Sequence, residues 1–545
     1  MRRFSAKTRI ENIEKLKTDE FDLLIIGGGI TGAGAARDAS ARGLKVALVE
    51  ASDFASGTSS RSSKLIHGGI RYLENMEFKL VFEALSERSK LFEMAPHLVH
   101  PLRFMIPLFE DSRVGMFKMG LGMWLYDALA MFQAPQMHER LDATESLDRM
   151  PALQAKGLKG SYVYSDAYMD DDRLVHETMR SANELGAVIV NYVKATGVEF
   201  NSDKSRITSV QVQDLKTGKS WNVKAKRIIS SVGPWTDQLG HSLFKEWKNV
   251  LRPTKGVHLT LPKGRLPLTS AVVMAAQKSD RIVFGIPRHE MIIVGTTDTD
   301  FKDDPSQVGV TDEDVDYLLK VVDEYFPGAK ITRDDLIASY AGVRPLVQDG
   351  SDSEGKTSRE HVIFNDPRGV TFVAGGKYTT YRLMAEQVVE AALADMSLDD
   401  RVKLKVVDTA QPLNAYTSIE AFQQSLAMAQ KWADERYRNP KDVQMLAERY
   451  GMEALEILNT HPETYNYWQL EAAQAIETTM CLHLVDFYTR RVHLFLSEPD
   501  HGLAVLDKVT EVFAELLGWN KEQSEKEKQS VKDYISKELA WKFNK

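Results

Sequence analysis

Residues 21–34 read FDLLIIGGGITGAG, and the interpretation of this stretch decides the fold. Leu23 to Ile26 is a short apolar run, the pattern of a strand buried on both faces of a parallel sheet. Gly27-x-Gly29-x-x-Gly32 follows without a gap, and a helical stretch then runs to Ala41. A second apolar run, Lys45–Val49, ends at Glu50. Gly27 permits a tight turn, Gly29 lets the backbone approach a pyrophosphate, and Gly32 lets helix and strand pack closely. The helix N-terminus offers unpaired N–H groups and a positive dipole end to phosphate. Glu50 is placed to hydrogen-bond ribose hydroxyls. Strand, turn, helix, strand and acid fall in register, so the motif predicts a dinucleotide site without saying which dinucleotide.

Composition narrows the class. The chain has 545 residues, 43% hydrophobic and 27% charged, the balance of a globular protein. A net charge of −8 argues against broad nucleic-acid affinity and against a strongly basic membrane-binding surface. An anionic substrate must then be held by local cations. The single Cys481 excludes intramolecular disulfides and cysteine-based metal clusters. It sits in an apolar helical run, which predicts a buried, inert thiol. The opening MRRFSAKTRIENIEKLKTDE has no apolar core and reads as a polar helical lead-in, not a secretory signal. No run approaches the roughly eighteen apolar residues of a membrane span, so a cytoplasmic location is expected.

The expected organisation is uneven: a lead-in over 1–20, a nucleotide-binding domain over 21–404, and a helical domain over 405–545. A β-rich substrate domain, about 77–160 and 235–345, is interleaved with the second of these. Residues 58–72 are polar and glycine-punctuated, and 77–95 form an amphipathic helix. Alternating runs over 185–232 predict hairpin strands returning to a core strand, Arg227–Val232, and further strands fall within 256–298. The Glu/Lys spacings after 405 read as a solvated face.

Three segments narrow the cofactor. Ser230 to Trp235, SSVGPW, ends a core strand at Gly233. Phe372 to Thr380, FVAGGKYTT, is again strand, glycine turn and helix, centred on Gly376 and Thr379. A second helix N-terminus late in the chain has little use in a plain NAD enzyme. In a flavoenzyme it can face the pyrimidine edge of the isoalloxazine and stabilise the charge that develops on reduction. Thr58, Ser59, Ser63, Lys64, Leu65 and His67 lie directly after the Glu50 strand and supply hydroxyls and backbone donors. Together the segments favour FAD.

The motifs SSKLIHGGIRYLE, SDAYMDDDRL, VGPWTDQL, KGVHL, IVGTTDTD, AGVRPL and GGKYTTYRLMAE, in this order, resemble those of the FAD-dependent glycerol-3-phosphate dehydrogenases. That family lies within the glutathione-reductase-like, D-amino-acid-oxidase type flavoproteins. The resemblance is close over about 20–400 and looser over the helical tail. It implies an α/β fold with a Rossmann-like FAD-binding domain, a β-rich substrate domain and a C-terminal helical domain. It also implies oxidation of sn-glycerol 3-phosphate to dihydroxyacetone phosphate, with electrons passed to a quinone. The related glycerophosphate oxidases use oxygen and carry an insertion that this chain lacks.

Flavin oxidation of a secondary alcohol needs a hydride acceptor, a group for the hydroxyl proton, and clamps that orient the C–H bond. A phosphate dianion needs several cations, preferably arginine forks. The matched positions offer Arg71, Tyr72 and Arg359 for phosphate, with Arg344 and Lys377 nearer the reacting carbon. Arg359, in the polar loop KTSREHV, has the weakest context and reads nearly as well as surface charge. His258 and His67 are candidate bases, because imidazole titrates near neutrality. Lys377 is an alternative, since neighbouring arginines favour its neutral form. Asp166 and the run Asp170-Asp171-Asp172 have no histidine at ligand spacing. They read as helix-start residues ahead of a helix over 173–185, and no metal is expected.

Residues 113–132, RVGMFKMGLGMWLYDALAMF, are the most apolar stretch. Composition alone fits a buried helix pair. The family's association with the inner face of the membrane favours a helix lying in the interface instead. A homodimer is compatible with the sequence, which leaves the oligomeric state open. Two rival readings are an oxygen-reducing oxidase and a non-catalytic FAD-binding protein. An amino-acid oxidase would not need so many cations, and a plain NAD dehydrogenase would not need the second glycine turn.

Overall fold

The computed structural model describes residues 4–74, 76–275, 281–348, 360–436 and 438–543. Strands Leu23–Ile26 and Val46–Val49 are buried at every position, as their unbroken apolar runs require. They pair in parallel and are flanked by Ile228–Ser230 and Val188–Val190, also parallel. Val370–Gly375 extends the sheet in parallel beyond Ile228–Ser230, and His361–Asp366 closes its edge as an antiparallel hairpin strand. Helices Ile30–Ala41, Asp171–Glu184 and Tyr381–Ala392 pack together beside this sheet. A second core lies under a four-stranded sheet, Glu20–Phe21 with the meander Val193–Phe200, Ile207–Asp214 and Ser220–Ala225. The lead-in is the helix Ala6–Thr18, whose Arg9 pairs with buried Asp214 at 2.5 Å.

The larger sheet is built mainly of antiparallel strands. Leu251–Pro262 lies one strand in from an edge, paired with Met291–Gly295 on one side and with the edge strand Ala338–Val347 on the other. Ile282–Arg288, Ala271–Ala275, Val99–Phe109 and Leu158–Met169 continue it. The two-residue strand Leu65–Ile66 pairs with Leu158–Met169, so the loop after the Glu50 strand is stitched into this sheet. The sheet therefore reaches beyond the segments 77–160 and 235–345.

Among the described residues the chain after 405 is helical. Helices Ile419–Glu435, Pro440–Tyr450, Glu453–Thr460 and the start of Tyr467–Thr478 enclose a core of their own. Beyond that point the apolar faces of Leu484–Arg490, Leu506–Leu517 and Lys521–Glu538 join the core of the larger sheet. Cys481 is buried there, and burial pushes its thiol up, which keeps it inert.

One buried ion cluster ties the helices to the nucleotide fold. Asp53, fully enclosed, accepts from Arg490 Nε at 2.8 Å and from both Nη atoms of Arg491 at 2.8 and 2.9 Å. Burial opposes its charge, but Arg491 and then Arg490 outweigh that and hold Asp53 far below the carboxylate range. A pKa depressed below its unfolded value gives stability that is complete above about pH 4 and lost as pH falls from there. We expect Asp53→Asn to cost about 3–5 kcal/mol, because it leaves the buried Arg491 guanidinium without a carboxylate, whereas Arg490 keeps Asp486. Urea midpoints of the wild type should drop from pH 5 to 3, while those of the variant stay flatter. Equal slopes would remove Asp53 from the account.

Candidate active site

The glycine turn adopts the geometry its spacing predicts. Gly27 has φ +112°, and a Cβ there would stand 2.6 Å from the Ser231 carbonyl oxygen. A Cβ on Gly32 would meet the Gly27 carbonyl oxygen at 2.0 Å. Gly29 caps helix Ile30–Ala41 without a side chain, and the Ile30 N–H donates to Ser59 Oγ at 3.0 Å. The first turn thus presents backbone donors and a hydroxyl together, which fits a pyrophosphate. Glu50 accepts from the N–H groups of Gly28 at 2.6 Å and Ser52 at 2.8 Å. Burial pushes its carboxyl up, against the pull of these donors. Gly233, at φ +55°, opens the short helix Gly233–Trp235, whose tryptophan ring backs Gly57.

The second glycine turn meets the first loop directly. Gly375 and Gly376 have φ +76° and +89°, which brings the chain round to Lys377 and the helical turn Tyr378–Thr380. The Thr379 hydroxyl accepts from the His67 N–H and donates to the His67 carbonyl, both at 3.2 Å. The Lys377 ammonium sits 3.6 Å from the centroid of the Tyr72 ring. That ring folds back over Gly69, where a Cβ would meet it at 2.2 Å. Beside it the Arg71 side chain is half-buried and makes no hydrogen bond or ion pair among the described residues. Arg359 lies outside the described residues.

The third element is the strand pair of the larger sheet. His258 and Tyr340 are cross-strand partners whose rings stack at 4.7 Å and 10°. Two residues along, Gly256 faces Gly342. The Arg344 guanidinium lies where a Cβ of Gly256 would be, 2.3 Å from that point. Arg344 donates to Thr296 Oγ1 at 2.9 Å and to Asp298 Oδ1 at 3.1 Å. Thr58 Oγ1 donates to the Val343 carbonyl at 2.6 Å, and Ser63 Oγ lies 2.8 Å from His258 Nε2. His258 is 1% exposed. Burial, then Arg344 and Lys64, hold it well below the usual imidazole range, so it is neutral at neutral pH.

Two sequence expectations change here. The Lys64 ammonium turns into the interior to pair with Asp171, whose other oxygen accepts from Ser62 Oγ at 2.7 Å. Its backbone, at φ +55°, remains in the loop. Asp171 and Asp172 do lie in the first turn of Asp171–Glu184, but Asp170 makes no side-chain cap. Its carboxylate is taken by Arg288, and His289 Nε2 and His493 Nε2 come within 3.8 and 3.7 Å of it. Linear spacing cannot see histidines 289 and 493, so the acidic run is not without imidazole neighbours. The Arg288 guanidinium, also 3.1 Å from His493 Nε2, stands as a cation where a metal ion would have to bind.

Asp166 is a hub rather than a helix-start residue. It accepts from Arg88, from Tyr126 Oη at 2.8 Å and from the Gly68 N–H at 3.3 Å, fixing the turn ahead of Arg71. Thr296, Asp298 and Tyr340 were not singled out from the sequence. The first two lie in IVGTTDTD, and Tyr340 immediately precedes AGVRPL. Their place within or beside motifs that resemble the family's was their only signal.

Parallel sheet, glycine cradle and second helix turn define a FAD-dependent oxidoreductase. Residues 22–382 match the family described as "FAD dependent oxidoreductase", and 418–524 match the "C-terminal domain of alpha-glycerophosphate oxidase". The chain is 34% identical over 531 residues to an aerobic glycerol-3-phosphate dehydrogenase of Staphylococcus saprophyticus, covering 94% of each chain. It is also 34% identical over 543 residues to one of Staphylococcus aureus, covering 96% of each. The crystal structure of the Bacillus halodurans glycerol-3-phosphate dehydrogenase complexed with FAD superposes with TM-score 0.81 at 29% identity, over 98% of both chains. An L-alpha-glycerophosphate oxidase from Mycoplasma pneumoniae shares the fold at TM-score 0.55 and 20% identity, covering 69% of this chain and 95% of that one. The chain belongs to the aerobic glycerol-3-phosphate dehydrogenase family.

Proposed function

We propose that the protein oxidises sn-glycerol 3-phosphate at C2 to dihydroxyacetone phosphate and passes the electrons to a membrane quinone. FAD, when bound, supplies the hydride acceptor at N5. The observation that carries this reading is the Lys377–Tyr72 contact beside Arg71, which joins both glycine turns in one cationic corner. Arg71, Tyr72 and Arg359 hold the phosphate, while Arg344 and Lys377 orient the hydroxyl-bearing carbon. The relatives' names point to the same substrate. The base is His258 or Lys377, and a pH profile separates them. Neutral His258 gives flavin reduction that is flat from about pH 6.5 to 9, whereas lysine must lose a proton and gives a rising rate.

The test is anaerobic absorbance with added glycerol 3-phosphate. We expect the flavin band to bleach and a quinone analogue to restore it faster than air. Restoration by oxygen at the faster rate would instead favour the oxidase reading. A flavin that stays oxidised would overturn the substrate.

Access to quinone calls for a lipid-facing surface. Helix Met116–Leu129 buries only Met123, Tyr126 and Asp127, not the all-round burial of a core helix pair. Phe117 is 82% exposed, and Leu121, Trp124 and Phe132 are each more than half exposed. No helix among the described residues is long and apolar enough to cross a membrane. This exposed apolar face is suited to lie in the interface. We expect Trp124→Glu to lose co-sedimentation with lipid vesicles and retain soluble-acceptor turnover. Unchanged sedimentation of that variant and of Phe117→Glu would remove this face as the contact.

A further inference from the structure

Helix Lys521–Glu538 and the short helix Ala540–Phe543 reach the strand pair that carries His258 and Arg344. Arg61 belongs to the loop between Thr58 and His67, and its Cβ lies 2.6 Å from where Gly342 would carry its own. Side chains two apart on a strand share a face, and directly paired residues point the same way. Tyr340, Gly342 and Arg344 thus share one face with His258 and Gly256. Arg61 rests over Gly342, while the Arg344 guanidinium fills the space over Gly256.

The far end of Arg61 is held from the C-terminus. Its Nη1 donates to Glu538 Oε1 at 3.1 Å, and its Nη2 donates to Tyr534 Oη at 3.1 Å. The Glu538 side chain is only 9% exposed. Its backbone carbonyl accepts from Ser339 Oγ at 3.0 Å, and Trp541 Nε1 donates to the same Ser339 oxygen at 2.8 Å. Lys542 Nζ donates to the Leu336 carbonyl at 2.8 Å. The C-terminal segment is therefore bonded both to the strand and to the loop that crosses it. The next residues of that loop are occupied too. Ser62 accepts from Tyr340 Oη through its carbonyl at 2.9 Å, and Ser63 Oγ meets His258 Nε2.

We propose that Glu538 and Tyr534 are positioning residues for the oxidation, acting through Arg61 on the loop that presents Ser63 to His258. This gives the helical end of the chain a part in the active site, and it rests on the function proposed above.

The test is a double-mutant cycle of Glu538→Gln and Arg61→Met in the full-length holoenzyme. We expect each to slow anaerobic flavin reduction by glycerol 3-phosphate about tenfold, and the double variant to be no slower than either. Glu538→Asp should restore most of the rate. FAD release, followed by flavin fluorescence, should quicken in both single variants while the thermal midpoint moves little. If Glu538→Gln folds poorly, Tyr534→Phe removes one hydroxyl and should give a smaller effect of the same kind. Wild-type kinetics in the single variants overturn the proposal, as do additive losses that track a falling thermal midpoint. If the wild type is not bleached, the substrate reading fails on its own. FAD release and the visible circular dichroism of bound flavin then decide the coupling, and no change in either overturns it.

Discussion

Lys377→Met will give yellow protein whose flavin is reduced by glycerol 3-phosphate about a thousandfold more slowly than in the wild type. General acid–base and charge-orienting groups contribute about 10²–10⁴-fold, and Lys377 is placed for either role. Its ammonium lies over the Tyr72 ring, on a turn fastened to His67 by the Thr379 hydroxyl. Methionine keeps the stem and removes the charge, so packing on Tyr72 survives and FAD stays bound. Stopped-flow absorbance at saturating substrate measures the loss directly. A rate within about threefold of the wild type would strip Lys377 of any role at the reacting carbon. A large loss reversed by added alkylamine would show that the amine itself is the missing group.

Gly32→Ala will yield colourless protein. The added methyl would stand 2.0 Å from the Gly27 carbonyl oxygen and 2.8 Å from Ser231 Oγ. Backbone oxygen cannot rotate away as a side-chain end can, so helix Ile30–Ala41 must shift off the turn. Overpacking of this kind costs about 1–3 kcal/mol. The larger effect falls on FAD, because the same shift moves the helix N-terminus and Ser59 from their common position. We expect FAD affinity to fall about a hundredfold or more, measured by fluorescence titration of the apoprotein. Gly264→Ala, at a glycine with open space and ordinary backbone angles, is the control and should bind FAD normally. A yellow Gly32→Ala protein would mean that the turn has more freedom than its packing indicates.

The dinucleotide-binding turn and its flanking strands were legible because that part of the fold is local. Leu23 to Glu50 holds a strand, a turn, a helix and a second strand in one continuous stretch. Their periods and glycines specify conformation without help from elsewhere. The residues of the cationic corner were legible only through motifs. Arg71, Tyr72, Arg344 and Lys377 come from three distant segments, and no spacing rule links them.

Position along the chain could not reveal partners made by packing. Lys64 read as a cofactor contact because it sits among hydroxyls, yet burial directs its ammonium to Asp171. Helix Met116–Leu129 read equally well as core from its composition. Composition records how apolar a helix is, and the neighbours decide which of its faces is covered. The same holds for the C-terminal helices, whose Glu538 and Arg491 reach Arg61 and Asp53 across more than 400 residues.

The sequence by itself determined the dinucleotide-binding strand–turn–helix, the flavin as its cofactor and the family to which the chain belongs. Those follow from short-range backbone geometry and from ordered motifs. The tertiary structure alone decided that His258 is enclosed, stacked on Tyr340 and met by Ser63, and that Tyr534 and Glu538 of helix Lys521–Glu538 meet Arg61 beside it. Burial and ion pairing are properties of surfaces brought together by folding, and residues distant in sequence acquire them only when the sheets close.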